Sequence, residues 1–116
     1  MAHNSNVQTV VETPSYLALA RKLFSESEMS EIVAMVAADP KCGDLMRETG
    51  GFRKVRVRVG NRGKSGGARV VYIYRDESFP VFLITVFAKN EKANLTKRER
   101  NELKKRADDI FDTYRR

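Results

Sequence analysis

The chain holds a single cysteine, Cys42. No disulfide framework can form within it, which fits a reducing compartment, so a cytoplasmic setting is expected. It also holds a single histidine, His3, in the polar start MAHNSNVQTV. The usual pair of histidine proton carriers is therefore excluded, and His3 reads as a tail residue. Long apolar runs are missing: nothing approaches the roughly 18–20 residues that a membrane span needs. The start has neither the basic residues nor the apolar core of a signal peptide. A soluble protein with no membrane partner is expected. Clustered Asp, Glu or His of the kind that binds a catalytic metal is missing from the strand faces, so neither metal nor cofactor is expected.

Acidic residues are missing from one stretch in particular. Arg53, Lys54, Arg56, Arg58, Arg62, Lys64, Arg69 and Arg75 follow one another without an Asp or Glu between them. The 116-residue chain carries a net charge of +7, unevenly divided. Residues 1–50 have four Lys/Arg against seven Asp/Glu, and residues 51–116 have eighteen against eight. Such a run repels itself and is best tolerated where a polyanion will sit.

A missing glycine settles another point. Gly63-Lys64-Ser65 looks like the end of a nucleotide-binding P-loop, but that motif requires a glycine at position 58, where the chain has Arg58. The segment also runs into ARVVYIY, a strand pattern, so it lacks the helix N-terminus that would hold the phosphates of a nucleotide. Residues 60–67 read instead as a glycine-bearing loop whose Arg62 and Lys64 reach a phosphate chain passing beside a sheet.

What is present has clear periodicities. Residues 7–13 read as a strand. Pro14 opens a helix with Tyr16, Leu17, Ala20, Leu23 and Phe24 at helical spacing. Ser25 and Glu28 form a capping box that starts a second helix over 26–38, with Met29, Ile32, Val33, Val36 and Ala37 on its apolar face. Residues 41–51 are a turn-rich connection. FRKVRVRV (52–59) alternates strictly, with Val55, Val57 and Val59 on one face and Lys54, Arg56 and Arg58 on the other. Strands follow at 68–76 and 81–89, the latter apolar enough to be central or covered. Thr96 and Glu99 cap a last helix over 97–115, whose stripe is Leu103, Ala107, Ile110, Phe111 and Tyr114. The order β-α-α-β-β-β-α predicts one α+β domain over 1–116, with 1–6 a flexible tail. Its helices pack on one face of a largely antiparallel sheet, and the other face, partly open, carries the cations. Tyr72 and Tyr74 fall opposite Arg69, as core residues with a hydroxyl at the rim. Cys42 is structural or incidental.

GGFRKVRVRVGNRGKSGGARVVYIYRD followed by VFLITVFAKNEKANLT resembles the RelE/HigB-type toxins of bacterial toxin–antitoxin modules. The resemblance rests on the set G-G-x-R-K-x-R, G-K-x-G-G-x-R-x-x-Y and A-K-N-E-K. It implies a RelE-like fold and a toxin that cuts messenger RNA on the ribosome through attack by the 2′-hydroxyl. It further implies a cognate antitoxin, of helix-turn-helix DNA-binding type, as partner. Carried over residue by residue, it makes Arg56, Arg58, Arg69 and Lys89 catalytic, with Arg69 the leading transition-state clamp. Arg53, Lys54, Arg62, Lys64 and Lys92 become RNA contacts. The chain departs from some members at Asn90, where they have arginine, and in ANLTKRER (93–100), where they have a tyrosine; the general base therefore stays unnamed. Glu91 is either an acid–base group or a salt-bridge partner of Lys89 or Lys92. Two alternatives stand beside the nuclease. One is a gyrase inhibitor of the related ParE type, which would not need the outward row Lys54, Arg56, Arg58 and Arg69. The other is an RNA-binding module without chemistry.

Overall fold

The computed structural model describes residues 7–60, 67–88 and 96–114. In chain order the elements are β1 (Val10–Glu12), α1 (Pro14–Leu23), α2 (Glu26–Ala38), β2 (Asp44–Leu45), β3 (Phe52–Val57), β4 (Ala68–Ile73), β5 (Val81–Ala88) and α3 (Lys97–Tyr114). The five strands form one sheet in the order β1-β5-β4-β3-β2. β1 runs parallel to β5, and all other neighbours are antiparallel. This is the expected α+β architecture, with one short strand added inside the stretch read as turns.

Each helix begins where its cap predicts. Thr13 Oγ1 accepts from the Tyr16 amide at 3.3 Å and donates to the Leu83 carbonyl at 2.7 Å, so the cap of α1 is pinned to β5. Ser25 and Glu28 make the reciprocal capping box of α2, at 3.1 and 2.9 Å. Thr96 and Glu99 repeat it ahead of α3, at 3.1 and 2.9 Å.

Strand alternation divides the apolar residues between two cores. On one face Val70, Tyr72, Val81, Leu83 and Val86 pack with Tyr16, Ala20, Ile32 and Val36 of α1 and α2. On the other, Phe52, Val71, Ile73, Phe82 and Ile84 pack with Ala107 and Phe111 of α3. The helices therefore do not all share one face, as the sequence pattern suggested; α3 crosses to the second. The reason lies in β5, which is apolar on both sides. Its pairing with β4 steps by one residue between Val71↔Thr85 and Tyr72↔Leu83, which leaves Ile84 as the extra residue. The bulge turns Ile84 toward α3 and returns Val86 to the first core. Once α3 has taken this end of the second face, the cations keep the other end.

β2 is two residues long and pairs with β3. Its exit is shaped by backbone rather than side chains: Glu48, Gly50 and Gly51 all have positive φ, at 61°, 84° and 114°. Thr49 is buried between them, donates to the Met46 carbonyl at 2.7 Å and accepts from the Phe52 amide at 3.2 Å. A methyl on Gly50 would touch Ala107 Cβ at 3.4 Å, so the glycine pair in G-G-x-R also lets α3 lie close.

Candidate nucleic-acid interface

The antiparallel register of β3 and β4 sets Arg56 directly opposite Arg69, and Lys54 opposite Val71. On the far side of β4, Arg69 pairs with Phe87 of β5. Cross-strand partners share a face, so Lys54, Arg56 and Arg69 all stand on the side of the sheet that carries α3. Arg58 follows β3 and is exposed, as is Arg56; Lys54 and Arg69 are half-buried. Three of the four residues named as catalytic thus come from one hairpin.

Two guanidinium groups placed directly across a ladder repel each other. The local chain is built to hold them nonetheless. The Arg56 side chain leans over Gly67, where a methyl would lie 3.4 Å from Nε and 3.1 Å from the Val57 carbonyl oxygen. Arg69 is more tightly enclosed: its Nη1 is buried with no hydrogen-bond acceptor among the described residues. A buried guanidinium nitrogen without an acceptor is unfavourable, and a phosphate oxygen is the partner its geometry suits.

Glu28 secures the edge of this region. Its Oε1 accepts from the Ser25 amide and its Oε2 accepts from the Gly60 amide at 2.7 Å. The Ser25 and Gly60 amides hold its carboxyl below the usual carboxylate range, Ser25 contributing most. One carboxylate thereby starts α2 and fixes the residue at which the chain enters the basic 61–66 segment.

Other predicted residues lie elsewhere. Arg53 pairs with Tyr72, on the α1–α2 side, and its Nη1 donates to the Gly43 carbonyl at 2.8 Å. Arg75, the last cation of the acid-free run, stacks over the Phe111 ring at 4.2 Å. Tyr72 is in the first core as expected, but its hydroxyl is wholly buried rather than at a rim. It donates to the Pro40 carbonyl and accepts from the Gly43 amide, both at 2.8 Å. Burial raises its phenol well above the ordinary value. Cys42 lies 3.7 Å from that hydroxyl. His3, Arg62, Lys64, Lys89, Asn90, Glu91 and Lys92 lie outside the described residues.

Sequence reasoning missed Phe87, Gly67 and Glu28. Phe87 belongs to a strand whose pattern is almost wholly apolar; only the register reveals it beside Arg69. Gly67 belonged to the quoted motif, and its reason, room for Arg56, required the hairpin pairing. Glu28 was identified as a cap, but its second oxygen bonds 32 residues away in sequence.

The described residues thus offer permanently charged groups on a sheet face, suited to gripping a phosphate. They contain no group of three or more His, Cys, Asp or Glu that could hold a metal ion. No helix among them is long and apolar enough to cross a membrane. A model of the RelE toxin of the RelE/RelB toxin–antitoxin system matches residues 9–116, which spans both cores and the cationic hairpin. The chain belongs to this family of toxins, whose partner is a cognate antitoxin.

Proposed function

We propose that this toxin is a messenger-RNA endonuclease that acts on the ribosome in the cytoplasm and inhibits translation. The observation that carries the reading is Arg69, a half-buried cation whose Nη1 has no acceptor among the described residues, directly opposite Arg56. The 2′-oxygen of a ribose attacks the adjacent phosphorus, the bond to the 5′-oxygen of the next nucleotide breaks, and a cyclic phosphate and a 5′-hydroxyl result. Negative charge on the phosphate oxygens grows along that path. Fixed guanidinium groups at that point stabilise the transition state without having to reorganise.

In this scheme Arg69 and Arg56 clamp the scissile phosphate, and Arg58 and Lys89 complete the cationic site. Lys54, Arg62, Lys64 and Lys92 hold the flanking backbone. Arg53, whose guanidinium is on the Gly43 carbonyl, is assigned to holding the α2–β2 connection against β3. A lysine crowded by other cations releases its proton more readily, which offers a base in a site without histidine. A helix-turn-helix antitoxin is the partner that silences the toxin.

The test is induction of the toxin without its antitoxin, beside an Arg69→Ala copy, with new 5′ ends mapped on messenger RNA. Codon-phased cuts that vanish with Arg69→Ala support the reading. Growth arrest without new ends would favour inhibition of gyrase. RNA binding with no arrest and no cuts would leave a binding module.

A further inference from the structure

Beside the cation pair, between β4, β5 and the first half of α3, lies a hollow of about 300 Å³. Met46, Val71, Thr85, Phe87 and Leu103 line it, together with the charged Glu99, Glu102 and Arg106. We propose that it receives one nucleobase of the bound RNA and favours bases that carry an exocyclic amino group. The inference deepens the nuclease reading and rests on it.

Position is the first support. Phe87 is the cross-strand partner of Arg69, and Val71 that of Lys54. The hollow therefore opens one strand position from the cations assigned to phosphate, as a base lies beside its own phosphate. Size is the second. A volume of about 300 Å³ is at the lower end for small-molecule sites, which suits a planar ring rather than a whole nucleotide. The third is hydrogen-bonding character. Glu99 and Glu102 can only accept hydrogen bonds, and Arg106, the one cation of the lining, donates to Ser15 Oγ at 3.2 Å. The occupant best matched is a neutral ring with an apolar face for Phe87 and N–H donors at its edge. Adenine, cytosine and guanine meet that description through their amino groups. Uracil has a single ring N–H flanked by two carbonyl oxygens and no amino group, so it matches less well. Glu102 has the freedom to turn inward: its ion pair with Arg98 is long, at 3.9 Å, and exposed.

The test uses the intact toxin with Phe87→Ala, Glu102→Gln and Arg69→Ala copies. Binding of short fluorescent oligoadenylate, oligocytidylate and oligouridylate is read by anisotropy at one salt concentration, and cut sites are mapped on a mixed RNA. Wild type should prefer adenine and cytosine over uracil. Phe87→Ala should weaken binding of the preferred oligomers about tenfold, the order expected for losing one base–aromatic stack. Glu102→Gln, an exposed change that leaves the core intact, should move the preference toward uracil, because the amide can donate to its carbonyls. Arg69→Ala should weaken all three alike. Unchanged ranking in both Phe87→Ala and Glu102→Gln overturns the inference, while codon-phased cutting in wild type would leave the nuclease standing. Ranking that shifts as stated in a wild type that cuts nothing would retain the base pocket and remove the nuclease. Loss of antitoxin binding in Phe87→Ala with RNA ranking untouched would give the hollow to the antitoxin, and the inference would fail.

Discussion

Arg56 and Arg69 face each other across the β3–β4 ladder, and the Arg56 side chain lies over a glycine, Gly67, in the same hairpin. Like charges directly opposite destabilise a ladder by about 0.2–1 kcal/mol. The buried Nη1 of Arg69 has no acceptor among the described residues. On these grounds Arg69 is expected to weaken the fold in the absence of RNA.

Arg69→Gln should accordingly raise the melting temperature by a few degrees, since about 1 kcal/mol corresponds to roughly 4–8 °C in a domain somewhat smaller than this one. The same change should lower RNA cleavage about a hundredfold or more, the order lost with one transition-state donor. Calorimetry and a cleavage assay on one preparation check both signs. A lower melting point would show that the arginine supports the fold.

Arg69→Lys separates charge from geometry. Lysine keeps the positive charge but cannot make the planar, two-pronged contact with a phosphate. The slope of log affinity against log salt should stay within about one phosphate contact of wild type. Cleavage should still fall by at least about tenfold. Equal activity in the two proteins would mean that Arg69 acts as a simple point charge.

Gly67→Ala tests the space beside Arg56. The new methyl would meet the Val57 carbonyl oxygen at 3.1 Å and Arg56 Nε at 3.4 Å, so the hairpin must give by tenths of an ångström. Circular dichroism should stay native while cleavage falls about tenfold, as expected when a positioned group is displaced by less than an ångström. Wild-type cleavage would show that the Arg56 position has slack.

These residues also mark how far the sequence was legible. The caps at Thr13, Ser25 and Thr96 and the alternation of β3 are local patterns, readable within a few residues, and they gave the elements and the cationic face. What lay beyond reach depended on pairing between distant segments. The placement of α3 follows from the bulge at Ile84 and the close approach at Gly50, neither of which has a periodic signature. Arg53 differs from Lys54 by one position, and that single step puts it on the opposite face, against Gly43. In the candidate site, the arginines were legible as a charge run. Their neighbour Phe87 was not, because only the β4–β5 register brings it there.

Two buried tyrosines should respond oppositely to loss of their hydroxyls. Tyr72 satisfies the Pro40 carbonyl and the Gly43 amide, so Tyr72→Phe orphans both and should cost about 2 kcal/mol. Tyr16 has a buried hydroxyl with no partner among the described residues. Its phenol is pushed up to about 12, by burial first and by the Glu12 charge second. Tyr16→Phe should leave stability unchanged or raise it by up to about 1 kcal/mol. Urea unfolding of the two variants checks the contrast, and equal destabilisation would refute it.

Glu28 should make stability depend on pH in one direction. The Ser25 and Gly60 amides favour its ionised form, so its folded carboxyl sits below its unfolded value. A group depressed in this way contributes fully above the unfolded carboxylate range and loses its contribution as pH falls through the folded value. The wild-type urea midpoint should therefore decline as pH drops from about 6 to 3, the interval that contains an ordinary glutamate near 4.3. In Glu28→Gln that decline should be shallower and the midpoint at neutral pH lower, because an amide accepts these bonds less well than a carboxylate. Ser25→Ala should lower stability by about 1 kcal/mol through loss of the cap, while leaving Gly60 tied to Glu28. If cleavage falls in Glu28→Gln but not in Ser25→Ala, the Gly60 bond is what matters for activity, since both variants weaken the start of α2 and only one loosens the entry to the basic segment. Equal losses would assign the effect to α2 itself.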